Sequence, residues 1–174
     1  MSPWLLLKAI KARLAPRLET LPLPVRGRDA AGRPVPPRSE PGQPDTPLPA
    51  CRPAVLHLGS MPPTAQGALE SAPFVVAQAM GGFERAGLHH VRVALRCCIV
   101  GDDLEAAEED MQNLLSLQRL ALLEAPLLER RFQLVPDLQE QIAPWERPDE
   151  QMFPFLQAHI ITTWNLQGVA HVAV

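Results

Sequence analysis

Across residues 88–100 the chain alternates without a break. Val91, Val93, Leu95, Cys97 and Ile99 share one parity, and His90, Arg92, Ala94, Arg96 and Cys98 the other. Successive side chains of a strand point to opposite faces, so this is a half-buried strand with one apolar face. A second long strand is predicted over residues 155–166, where Ala158, Ile160, Thr162, Trp164 and Leu166 share a face. Shorter strand patterns cover residues 54–59, 74–80, 130–135 and 138–142, the last two separated by Pro136. Gly81-Gly82 reads as a turn or break after the second of these. Residues 168–174 are β-prone and extend the same sheet in this reading.

Two segments carry the helical period instead. In residues 2–15, Trp4, Leu7, Ile10 and Leu14 fall on one stripe, with Lys8, Lys11, Arg13 and Arg17 over much of the rest. Ser2 serves as N-cap and Pro3 as first helical residue. This helix packs on the core sheet, or lies on a neighbouring subunit or membrane surface. The second helix begins after Gly101, capped by Asp102 or Asp103, and runs to about residue 125. Leu104, Ala107, Met111, Leu114, Leu115 and Leu122 form its stripe. Leu117, Leu120 and Leu123 widen it, which predicts burial on more than one side.

Between the first helix and the strands, residues 22–53 hold ten prolines. Proline lacks a backbone donor and fixes φ, so regular structure is hard to sustain there. The expectation is a long extended arm or loop that clasps a partner or is a plain insertion. The elements then read α–β–β–β–α–β–β–β in a single α+β domain: an N-terminal amphipathic helix (1–21), a proline-rich arm or loop (22–53) and a core (54–174). Its sheet is mostly antiparallel, of about five to six strands, with two main helices on one face.

Composition changes this picture little. Apolar residues make up 47% of the 174, enough for a packed core. Arg outnumbers Lys 14 to 2, the codon bias of a GC-rich genome. The net charge of −3 hides an asymmetry: residues 1–101 carry 12 basic and 6 acidic side chains, residues 102–174 carry 4 and 13. Opposite-sign halves can steer one copy onto another, or are two solvated faces. A net acidic chain is a poor direct DNA binder, because that affinity rests on phosphate neutralisation. The N-terminal apolar run is too short for a signal peptide, and nothing approaches a membrane span.

Catalytic vocabulary is missing. The five histidines match no metal-ligand spacing, and no phosphate loop or nucleophile elbow occurs. Neither a cofactor nor enzymatic activity is expected. Cys51, Cys97 and Cys98 read as buried free thiols in a reducing cytoplasm, with Cys97 on the apolar face. The carboxylates of Asp102, Asp103, Glu105, Glu108, Glu109 and Asp110 lie in the first helical turns, where the dipole favours negative charge. Residues 145–155 form a turn-rich loop whose Trp145, Met152, Phe153 and Phe155 are interface anchors or fold inward as tethers.

The succession VRVALRCCIVGDD, DMQNLLSLQRLALLE, RRFQLVPDLQEQIAPWE and DEQMFPFLQAHIITTW resembles tail terminator (tail completion) proteins of long-tailed bacteriophages. Asn113-Leu114, Arg119 and Leu122-Leu123-Glu124 match the helix of that family. Arg131-Phe132-Gln133-Leu134 matches a strand, residues 150–155 a loop, and Ile161-Thr162-Thr163-Trp164 the last strand. The stretch of residues 55–63 and the N-terminal helix also fit. The resemblance implies a virion protein of the head–tail junction, assembled in the host cytoplasm as a ring, usually of six. It implies as partners the tail tube protein and the head–tail connector or stopper protein, with DNA only passing through the lumen. In that role the proline-rich arm, with Pro36 and Pro37, would clasp a neighbour, the tube or the connector. Asp102, Asp103, Glu105, Glu108 and Glu109 would face the lumen and keep DNA from adhering. Stoppers and other neck proteins are similar in size and remain alternatives, as does a small cytosolic enzyme or binding domain.

Overall fold

The computed structural model describes residues 2–29, 49–60, 72–85, 87–101, 103–151 and 154–166. Pro36, Pro37, Asp102, Met152, Phe153 and the 168–174 segment lie outside these residues. The fold is α+β, with two helices on a mostly antiparallel, curled sheet.

The chain opens with α1 (Pro3–Leu18), whose first turn is capped by Ser2 Oγ accepting from the Trp4 amide. It runs through Pro16 because Leu14 and Leu18, one turn apart, are both buried. The expected stripe shifts: Leu6, Leu7, Ile10 and Leu14 face the core, while Trp4 is 47% exposed. Two strands follow, β1 (Pro22–Asp29) and β2 (Pro49–Pro53), paired antiparallel as a separate ribbon. The base of the proline-rich region is therefore regular structure. The register explains how: Pro22 faces Pro53 and Pro24 faces Cys51, so the prolines occupy every second pair. An antiparallel ladder leaves alternate pairs without hydrogen bonds, and a missing N–H costs nothing there. Leu23, between two of those prolines, is fully buried in the main core.

The large sheet contains β3 (Val55–Leu58), β4 (Phe74–Arg85), β5 (Leu88–Val100), β6 (Leu127–Leu128), β7 (Phe132–Val135), β8 (Trp145–Glu146) and β9 (Phe155–Leu166). Its order is β3-β4-β5-β9-β7-β6, with β8 also on β9. Among the described strands of this sheet, only the neighbours β3 and β4 run parallel. Gly81-Gly82 does not break β4. The strand continues to Arg85 through a register shift between Ala79 and Gly81, where Gly81 takes φ +153°. This is a bulge, and glycine is the residue that admits it.

Helix α2 (Leu104–Leu123) crosses the same face as α1, capped by Asp103, whose carboxylate accepts from the Glu105 amide. Gly101 makes the strand-to-helix turn possible, since a Cβ there would sit 2.5 Å from Ala107 Cβ. The buried stripe is Ala107, Met111, Leu114, Leu115, Gln118, Ala121 and Leu122. Leu104, Leu120 and Leu123 are exposed, so α2 is buried on one side only, against expectation. Arg13 and Arg17 of α1 both reach Glu124, at 3.1 and 2.6 Å, and Arg13 Nε donates to the Ala121 carbonyl. The core between helices and sheet takes the expected parity of β5 and of β9.

Candidate functional site

Among the described residues, no helix lies over the sheet's other face. The second parity of β5 and β9 defines it: His90, Arg92, Ala94, Arg96 and Cys98 opposite Asn165, Thr163, Ile161, His159 and Gln157. One end is sealed by a small cluster of Ala72, Phe74, Val76, Cys98, Val100 and Phe155. The rest carries mostly polar side chains, with the Ala94 and Ile161 pair among them.

A loop shapes this face. β7 and β8 lie along the same edge of β9, with Val135 facing Thr163 and Trp145 facing Ile160. The chain between them, residues 136–144, leaves the edge instead of pairing. The strand expected over residues 138–142 is therefore a loop, and the reason is Asp137. Its carboxylate accepts from the Gln139 and Gln141 amides, at 2.8 and 2.9 Å, and its own amide donates to the Gln141 carbonyl. Glu140 and Ala143 adopt positive φ (62° and 49°), which closes the turn. Ala143 is buried as a foot, and the Ile161 amide donates to the Pro144 carbonyl. Leu138 at the tip is 71% exposed.

Beneath this loop is a cleft of about 510 Å³. Arg92, Ile161 and Thr163 come from β5 and β9, and Phe83 from the far end of β4. The loop adds Asp137, Leu138, Gln139, Gln141 and Pro144. Thr163 is 2% exposed, yet its hydroxyl has no hydrogen-bond partner among the described residues. One pair further along, Asn165 is buried with its carbonyl oxygen likewise unpartnered. Buried polar atoms are normally paired, so this stripe holds unused hydrogen-bonding capacity. The Phe83 ring stacks on His90 at 5.1 Å. Burial, and then the charges of His89 and Arg85, hold the His90 imidazole below its ordinary range.

Of the residues expected at a partner interface, the two that are described, Trp145 and Phe155, lie apart. Trp145 is 39% exposed and contributes to the rim of the cleft, but the register gives it the parity of Ile160, on the helix side. Its ring lies 5.7 Å from the Arg147 guanidinium, which ion-pairs with Glu108 of α2. Phe155 is not an exposed anchor: it is buried in the small cluster that seals the sheet end. Of the acidic group, Asp103 is the cap of α2, Glu105 and Glu109 are exposed, and Glu108 is held by Arg147. Sequence reasoning missed Phe83, Arg92, Ile161 and Thr163 as one site. The polar parity of β5 was the available signal, but the register that joins it to β9 is not local information.

Among the described residues, no three His, Cys, Asp or Glu side chains gather as a metal site. No helix among them is long and apolar enough to cross a membrane. Cys51 is exposed, against the burial expected of it. Burial is the main reason the Cys97 and Cys98 thiols are each pushed up to about 12, which disfavours the nucleophilic thiolate. No protein-family model matches the chain, and no curated protein sequence matches it.

Proposed function

We propose that this chain is a virion structural protein, a ring-forming tail terminator that caps the tail tube and joins it to the head connector. The observation that supports the reading best is the inequality of the two sheet faces. One is sealed by α1 and α2, and the other presents an open cleft beneath a projecting loop. A closed ring is built from heterologous contacts, in which one face of each subunit meets a different face of the next. A subunit with two unlike faces suits that geometry, and the resemblance of residues 91–103 and 110–164 points the same way. In this reading the exposed Glu105 and Glu109 at the start of α2 turn to the lumen, where DNA passes without adhering.

The test is electron cryo-microscopy of native particles, with this chain sought at the neck. A symmetric ring between tail tube and connector is the expected result. Absence of the chain from purified particles would reject the assignment. A second reading, a small binding domain, is favoured by the unpartnered Thr163 and Asn165 beside the cleft. A stable monomer that binds a small polar ligand there would establish it instead.

A further inference from the structure

We infer that the cleft on the helix-free face is a docking groove for a proline-rich segment, and that its occupant is Arg33-Pro34-Val35-Pro36-Pro37-Arg38 of a second copy of this chain. The second-copy part rests on the ring reading above. The argument begins with what a proline-rich segment offers. It displays backbone carbonyls but few N–H groups, together with flat apolar rings. A groove that holds one must supply donors for the carbonyls and apolar surface for the rings.

The cleft supplies both. Arg92 brings a guanidinium, and the buried Thr163 hydroxyl is a donor without a partner among the described residues. Phe83, Leu138, Pro144 and Ile161 are the apolar lining. Asp137 adds a carboxylate, and Glu146 a second whose Oε1 already meets His159 Nε2 at 2.7 Å; both are complementary to the arginines that flank the P-x-x-P core at positions 33 and 38. The Asp137 and Glu146 charges also discriminate: they favour a basic flank and disfavour an acidic one.

Topology favours a second copy over the same one. The ribbon that carries this segment is anchored through Leu23 in the core between helices and sheet. The cleft opens on the opposite face of that sheet. In a head-to-tail ring, one subunit's helix side meets its neighbour's cleft side.

Two measurements on the full-length chain separate the parts of this inference. A synthetic peptide of residues 31–40 is titrated against the chain by fluorescence anisotropy. Replacing Pro34, Pro36 and Pro37 by alanine in the peptide, or making Thr163→Val in the chain, should weaken binding by about tenfold or more. An unchanged affinity in either case, or no binding at all, overturns the groove. A photo-crosslinking residue at position 138 is then introduced into a mixture of ¹⁴N and ¹⁵N chains. Cross-links between isotopes that map to residues 33–38 are expected. Cross-links confined to one isotope, or mapping elsewhere, overturn the second-copy docking. Peptide binding that shows the expected losses, in a chain that stays monomeric and is absent from particles, sinks the ring while supporting the groove's chemistry.

Discussion

Trp164 shows how single atoms are settled in this core. Its indole N–H donates to Thr162 Oγ1 at 2.8 Å, and that hydroxyl donates to the Val93 carbonyl at 3.0 Å. Both side chains are fully buried, so the hydroxyl is the one partner that makes the indole tolerable there. Thr162→Val should cost about 1–3 kcal/mol, because the indole donor is left unsatisfied in a dry site. Thr162→Ser, which keeps the hydroxyl, should retain most of that stability; chemical denaturation of the two variants compares them. The three cysteines give a second residue-scale expectation. Cys51 is exposed, whereas Cys97 and Cys98 are buried, with thiols pushed up to about 12. Alkylation of native protein near neutral pH should therefore modify Cys51 alone, and all three only in denaturant. Mass spectrometry of the intact chain counts the adducts.

At the scale of elements, the loop of residues 136–144 is the informative case. A local hydrogen-bonding residue overrides a β-prone pattern: Asp137 captures two amides that an edge strand would have left for a ladder. Asp137→Ala should open the loop without unfolding the sheet. Amide exchange at Gln139 and Gln141 should accelerate by about tenfold, with the β5 and β9 amides unchanged. Equal acceleration across the sheet would show that the loop is part of the global folding unit. The bulge at Gly81 and the alternate prolines of β1 and β2 follow the same logic. In each, a residue usually read as a breaker sits where the ladder asks nothing of it.

For the molecule as a whole, the pH response follows from two histidines. His57 is lowered by burial, then by Lys11 and Arg52, and His90 by burial, then by His89 and Arg85. Each is harder to protonate in the folded state than in the unfolded chain, whose histidines titrate near 6.5. As pH falls below that value the unfolded chain binds more protons, so stability falls with it. The loss begins as pH passes about 6.5 and ends once it drops below the folded values. Asp110, raised by burial and by Glu109, acts with the opposite sign in the more acidic carboxylate range. Denaturation midpoints measured between about pH 5 and pH 7.5 should decline on the acid side, and His90→Gln should flatten that decline. The salt links between the two helices contribute little here, because the Arg13, Arg17 and Glu124 side chains are partly exposed and screened.

The sequence by itself determined the long elements. The bounds of β5, residues 88–100, and of β9, residues 155–166, are those their alternation predicts, and α2 follows its cap and its apolar period. These signals are local: the burial of one face is written into neighbouring residues. Tertiary structure alone decided which faces meet. It buried Phe155 at the sheet end, exposed Trp4, Leu120 and Leu123, and set the Arg147 guanidinium over the Trp145 ring. It also gathered Phe83, Arg92, Thr163 and Asp137 around one cleft, from positions 83 to 163. The physical reason is register. Which residue of one strand lies beside which of another depends on the fit of whole faces, and no short window of sequence contains it.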